Sequence, residues 1–203
     1  FIRKTTICVT LALLSMGLTE SVGLTTNQAE AADEKRRVLK ARQMDNVNIN
    51  EEYRKAAEAK RLESIKFLRD LLDQGDTTGP RKAEMMLRLA DLYFEQGRSI
   101  YLREMAAYDV EYEKCFNTDG CNYENMEPDN AKSSNWQEKS IRLYNLILRN
   151  YPRYQRADEA TFYLGMALQD LGRTLEAVKR FTALVKTYPD SSFVPDAFVN
   201  IGE

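Results

Sequence analysis

One apolar spacing occurs three times in this chain and constrains it more than any other feature. The copies are Ser64-Ile65-Leu68-Leu71-Leu72, Ser140-Ile141-Tyr144-Ile147-Leu148 and Ala177-Val178-Phe181-Leu184-Val185, all with the same internal offsets. Residues three and four apart share one face of an α-helix, so each copy predicts an amphipathic helix. Each copy is followed by a turn and a second helical stripe: Leu89-Ala90-Asp91-Leu92-Tyr93, then Leu164-Gly165, then Ile201-Gly202. Tyr151-Pro152 returns as Tyr188-Pro189. Helix pairs repeated in this way bury their apolar faces by stacking on their neighbours.

The best-defined pair lies between Ala157 and Asp190. Leu164, Leu168 and Leu171 form the first stripe, and Gly172 follows where a left-handed cap stops a helix. The second stripe runs from Ala177 to Tyr188, and Pro189 ends it. Leu164-Gly165, Leu168, Ala177, Phe181 and Pro189 resemble the tetratricopeptide repeat, a helix-turn-helix module of roughly 34 residues. Thr161 stands where the family carries an aromatic residue, with Phe162 adjacent. The Tyr-Pro-Asp-Ser ending resembles the sub-type of bacterial envelope proteins, such as the lipoprotein of the outer-membrane assembly machine and the periplasmic coordinator of the Tol-Pal system.

The resemblance implies an all-α solenoid of helical hairpins over residues 51–203 with one long insertion. Its expected parts are a B helix at 51–74, an A helix at 80–97, an insertion at 98–136 and a B helix at 137–151. A full repeat at 157–190 and the start of another A helix at 194–203 complete it. In this family the inner faces of the A helices line a groove for extended or helical peptides. Those positions carry over to Glu84, Leu87, Asp91 and Phe94, and to Glu159, Phe162, Met166 and Gln169. Acidic, apolar and aromatic groups together suit a basic-apolar peptide. The competing reading is a solvated charged face.

The insertion separates Gly97 from Ser140 by forty-three positions, whereas Gly172 precedes Ala177 by five. Tyr101, Met105, Tyr108 and Tyr112 continue the phase of Met86, Ala90 and Tyr93 across Gly97. The A helix is therefore expected to run on to about Lys114, at a cost near 1 kcal/mol for the internal glycine. A bend at Gly97 is the alternative. The tyrosine stripe of Tyr101, Tyr108 and Tyr112 serves either partner binding or packing on the neighbouring repeat. Cys115 and Cys121 flank turn-forming residues, so a structural disulfide is expected, with free thiols as the alternative. Five intervening residues do not fit a redox motif, and two thiols without histidine are too few for zinc. Residues 122–134 are polar, and irregular structure is expected there.

Residues 1–31 have the features of a secretory signal: Arg3 and Lys4, an apolar run from Ile7 to Leu18, and Ala29-Glu30-Ala31 before a cut. The run is too short to span a bilayer, and Cys8 within it is not placed for lipidation. Residues 32–50 are expected to be a helical or flexible lead-in, and the mature chain is expected to have no membrane span. The stop at Glu203 suggests a fragment of a longer array.

With 43% hydrophobic residues the chain has enough apolar mass for a core. Net charge −2 without a basic block argues against nucleic acid as the partner. The absence of histidine removes the usual general base, and there is no phosphate loop. Glu138 and Arg142 are expected to form a surface pair. The expectation is a non-enzymatic, cofactor-free periplasmic scaffold that binds protein or peptide partners. Two other readings are a targeting region of a larger envelope enzyme, such as a peptidoglycan hydrolase, and a cytoplasmic adaptor.

Overall fold

A computed structural model describes residues 50–75 and 77–202. The expected signal at 1–31 and Cys8 lie outside the described residues, as does nearly all of the 32–50 lead-in. The chain divides into two compact units, Phe1–Arg54 and Lys55–Glu203. In the first, residues 50–54 are helical, and Arg54 donates to Glu51 at 2.7 Å.

The second unit is an array of helices: α1 (residues 55–73), α2 (Gly79–Phe116), α3 (Ala131–Asn150), α4 (Ala157–Asp170), α5 (Thr174–Thr187) and α6 (Val194–Gly202). No strand occurs among the described residues. Consecutive helices form hairpins, and their facing sides make one continuous core. Ile65, Leu89 and Tyr93 close it between α1 and α2. Leu72 and Leu143 join that cluster to the larger one carried by α2 through α6. Tyr144 and Phe181 are fully buried, and Leu68 packs against the Ile65 cluster. A buried leucine or phenylalanine stabilises by about 1.5–3 kcal/mol, so these stripes hold the stack together.

The turns repeat in detail. After α3, Tyr151 N–H donates to Ile147, Tyr154 N–H to Tyr151 and Ala157 N–H to Tyr154, at 2.8, 2.9 and 3.1 Å. After α5, Tyr188 donates to Leu184, Ser191 to Tyr188 and Val194 to Ser191, at 2.8, 3.0 and 3.1 Å. Tyr151 and Tyr188 also share a backbone conformation, φ −129° with ψ 59° and φ −128° with ψ 62°. Proline follows each tyrosine and cannot continue a helix, which places the turn at the same point.

Two glycines set the inside of a hairpin. Gly172 has φ +70°; its N–H donates to Gln169 at 2.8 Å and Arg173 N–H donates to Leu168 at 2.9 Å. This pair of bonds satisfies the last carbonyls of α4 and turns the chain into α5. Gly165 meets Phe181 edge-on. A Cβ built there would lie 2.6 Å from Cε1 of that ring.

Gly97 occupies the place of Gly172 in the earlier repeat, but α2 passes through it without turning. Its missing side chain leaves room for Gln137, whose amide would lie 3.0 Å from a Cβ. From the Gly97–Gln137 contact α2 runs on to Phe116 and α3 back only to Ala131, so at about 1.5 Å per residue α2 projects by about 20 Å. Helix α3 begins at Ala131, ahead of the expected 137, and absorbs the end of the stretch expected to be irregular. The Asp129 carboxylate accepts the Ala131 N–H at 3.1 Å, which satisfies a donor that a helix start otherwise leaves open.

The projection ends in a capped turn. Asn117 Nδ2 donates to the Glu113 carbonyl at 2.7 Å, and Thr118 Oγ1 to that of Lys114 at 2.8 Å. Cys115 and Cys121 are joined by a disulfide across a Cα separation of 5.4 Å. The chain then returns along α2 through a short 3-10 turn, Tyr123–Asn125. Glu138 does not pair with Arg142 as expected; it faces Arg173 at 3.4 Å.

Candidate docking groove

On the face shared by α1, α2 and α4, carboxylates, an arginine pair and aromatic rings come together around a cleft. On α2, Glu84, Arg88, Asp91 and Glu95 recur at helical spacing, and none is fully buried. On α4 the matching positions are Glu159, Tyr163 and Met166, all half-buried. Arg156 ties the two helices. Its Nη1 donates to Glu84 at 2.7 Å, and its Nε and Nη2 take both oxygens of Glu159 at 2.7 Å each. Such a bidentate fork fixes orientation as well as distance. The Tyr154 hydroxyl donates to Glu84 as well, and this bond together with Arg156 lowers the Glu84 pKa.

Asp91 is the floor of the arrangement. The Tyr144 hydroxyl, reaching up from the core, donates to its Oδ1 at 2.7 Å. Burial nevertheless pushes the Asp91 carboxyl up to about 6, because desolvation penalises the charge more than the hydrogen bond favours it. Beside it opens a cleft of about 650 Å³ lined by Glu63, Ser64, Phe67 and Leu68 from α1 and Arg88, Asp91 and Leu92 from α2. Phe67 is 64% exposed on its wall. At the α4 end, Tyr163 meets Phe94 edge-on at 5.7 Å and Phe193 at 6.0 Å.

The positions carried over from the family resemblance divide on this surface. Asp91, Met166 and Gln169 are half-buried and remain accessible, as do Glu84 and Glu159. Leu87, Phe94 and Phe162 do not line a groove as expected; they are core residues, 0%, 6% and 8% exposed. Phe162 stacks on Phe193 at 4.9 Å and touches Phe181, so it is held inside the hairpin stack. The accessible positions lie one residue later: Arg88 and Glu95 are exposed and Tyr163 is half-buried. The spacing Glu84-Arg88-Asp91-Glu95, repeated as Glu159-Tyr163-Met166, was the available signal for them. Arg156 and Phe67 had no such signal, since one lies in a turn and the other on the outer side of an apolar stripe.

The projection gathers the tyrosines elsewhere. Tyr108 donates its hydroxyl to the Met126 carbonyl at 3.1 Å, and Tyr112 packs on Tyr108 and on Tyr123 of the return segment. Their rings are spent on holding the projection's two limbs together. Tyr101 is exposed. Among the described residues no group of three or more metal-ligating side chains converges, and no helix is long and apolar enough to cross a membrane.

The family model described as Tetratricopeptide repeat matches residues 159–191. The matched span starts at Glu159 on the groove face, takes in the Gly165–Phe181 contact and ends at Ser191 in the repeated turn. No curated protein matches the sequence. Residues 159–191 are thus a tetratricopeptide repeat within an all-α array of helical hairpins.

Proposed function

We propose that this chain is a non-enzymatic scaffold that docks a basic-apolar segment of a partner protein in the α1–α2–α4 groove, working in the periplasm as part of a bacterial envelope machine. The repeat at 159–191 supports the scaffold reading, since such repeats serve protein–protein interaction. The observation that carries the groove is the cleft whose lining combines exposed Phe67 with Asp91 and Glu63. An apolar side chain of the partner packs on Phe67 and Leu68, and a neighbouring lysine or arginine meets the carboxylates. Asp91 is preorganised by Tyr144, and Glu159 by Arg156, so little ordering entropy remains to be lost on docking. The Cys115–Cys121 disulfide and the signal-like residues 1–31 support an oxidising, exported setting.

A photo-crosslinking residue placed at position 67 of the full chain, expressed in a bacterial host with an intact envelope, tests the reading. Protein adducts that disappear with Asp91→Lys, on a mature chain starting at Ala32, are expected. Absence of adducts at 67, with adducts forming from an outer-face control position, refutes the groove. A cytoplasmic chain retaining residues 1–31 refutes the location.

A further inference from the structure

The projecting half of α2 has two faces with different fates. Tyr108, Tyr112 and Cys115 turn toward the returning segment. The adjoining face carries Leu102, Ala106, Asp109, Val110, Glu113 and Phe116, at offsets that repeat the helical period. Leu102 is 69% and Val110 67% exposed, and Phe116 keeps 58% of its surface exposed although Tyr123 of the returning segment packs on its edge at 5.1 Å. Apolar side chains scattered singly on a surface need no explanation, but these follow one face over about four turns.

The charge of this region is as uneven as its polarity. Residues 104–129 hold eight carboxylates and one lysine, Lys114, a net of −7 in a chain whose total is −2. The arginines nearest to it are engaged at its base. Arg103 pairs with Glu58 of α1 at 2.9 Å, and Arg98 faces Asp170 at the end of α4 at 3.6 Å. Asp109 and Glu113, which flank the apolar stripe, make no ion pair among the described residues. The protein neutralises the cations at the root and leaves the anions beside the exposed apolar groups along the shaft.

We propose that this face of α2, from Leu102 to Phe116, is a second docking surface, and that its occupant is a basic amphipathic helix of a partner protein. The partner's apolar stripe covers Leu102, Val110 and Phe116, and its flanking lysines or arginines meet Asp109 and Glu113. A helix of about four turns matches the length of the face, and about five turns covers it with an end to spare. Pairing of helices through an apolar seam with opposite charges at its edges sets both partner choice and orientation. The disulfide and the tyrosine contacts hold the shaft in shape and touch this face only at its Phe116 end, where the ring meets Tyr123 at 5.1 Å. The inference stands independently of the groove.

The test uses the full chain and a labelled helical peptide of about 18 residues, with leucine every three to four positions and lysine on the flanks. Two control peptides replace its lysines by glutamate or its leucines by serine. Saturable binding of the leucine-lysine peptide is expected, measured by fluorescence anisotropy. It should weaken by about tenfold or more in Leu102→Ser with Val110→Ser, and in Asp109→Lys with Glu113→Lys. It should be unchanged in Phe67→Ala, which tests the groove alone. These side chains are exposed, so circular dichroism should show the variants folded. The proposal is overturned by no saturable binding, by equal binding of either control peptide, or by full affinity in both double variants. Sedimentation completes the test: a dimer that dissociates in Leu102→Ser with Val110→Ser would make the occupant a second copy, which also overturns it.

Discussion

Replacing Gly165 by alanine should destabilise the array, against the usual benefit of removing a glycine from a helix. Alanine gains about 1 kcal/mol over glycine in a helix interior. At Gly165 the added methyl meets Cε1, Cζ and Cδ1 of Phe181 at 2.6, 2.8 and 3.0 Å. Ordinary contact would be 3.4–4 Å, so the ring or the helix must move. Phe181 is fully buried and touches the Phe162 ring at 5.7 Å between centroids, so it has nowhere to swing. Overpacking of this kind costs about 1–3 kcal/mol, and the blocked ring places the cost near the upper end. The net loss is about 2 kcal/mol, or about 4–8 °C in melting temperature for a unit of this size. Thermal and urea melts followed by circular dichroism measure it. The decisive readout is the sign in a Phe181→Leu background, where the clash is gone and Gly165→Ala should stabilise by about 1 kcal/mol. If Gly165→Ala alone leaves the melt unchanged or raises it, the close approach of α4 and α5 does not limit this position and the reasoning fails.

Asp91→Asn should stabilise the protein at neutral pH. The raised Asp91 pKa means that the folded state holds a proton which the unfolded chain has released, so this group's contribution falls as pH rises from about 4 to 6. The substitution removes that loss while keeping an oxygen for the Tyr144 hydroxyl. A gain of about 1–2 kcal/mol at pH 7, after allowance for solvent screening, and none at pH 4 is expected from urea melts. Glu84 has the opposite sign: its lowered pKa gives stability that is present above the ordinary glutamate range and fades as pH falls through the folded value. Arg156→Ala should therefore flatten the acid limb, at a cost of about 1 kcal/mol near pH 7, read from melts across the acid range. Cys115→Ser with Cys121→Ser should loosen the tip by roughly 2 kcal/mol while leaving the global melt nearly unchanged, with faster amide exchange confined to residues near 112–126 as the measurement. Gly172→Ala should cost about 1 kcal/mol by urea melt, because φ +70° is strained for any residue with a Cβ.

The helical hairpins could be read from the sequence because burial there depends on spacing alone. Ile65, Tyr144 and Phe181 face the core for the same reason, and helical period reveals it without any knowledge of neighbours. The inner face of the groove could not be read to the residue. Leu87, Phe94 and Phe162 are as apolar as a docking surface needs to be, and a shift of one position decides whether such a residue meets a partner or the next helix. The start of α3 was hidden for another cause. Ala131 to Ser134 have weak apolar signal, and their helix depends on Asp129 and on packing beside an extended α2. Gly97 also misleads locally, since the same residue type caps α4 at Gly172 but admits Gln137 at Gly97. The tyrosine stripe was visible, but its direction was not, because the return segment it binds has no periodicity to announce it.

The turns after Tyr151 and Tyr188 share hydrogen bonds and torsion angles although the long excursion precedes only the first of them. The pitch of the array is thus decided where a B helix hands over to the next A helix. Length added at the opposite end of a hairpin leaves that hand-over untouched. Evolution or an engineer can lengthen, shorten or exchange the spur without re-aiming the groove, as one changes the tool on a handle whose grip stays the same.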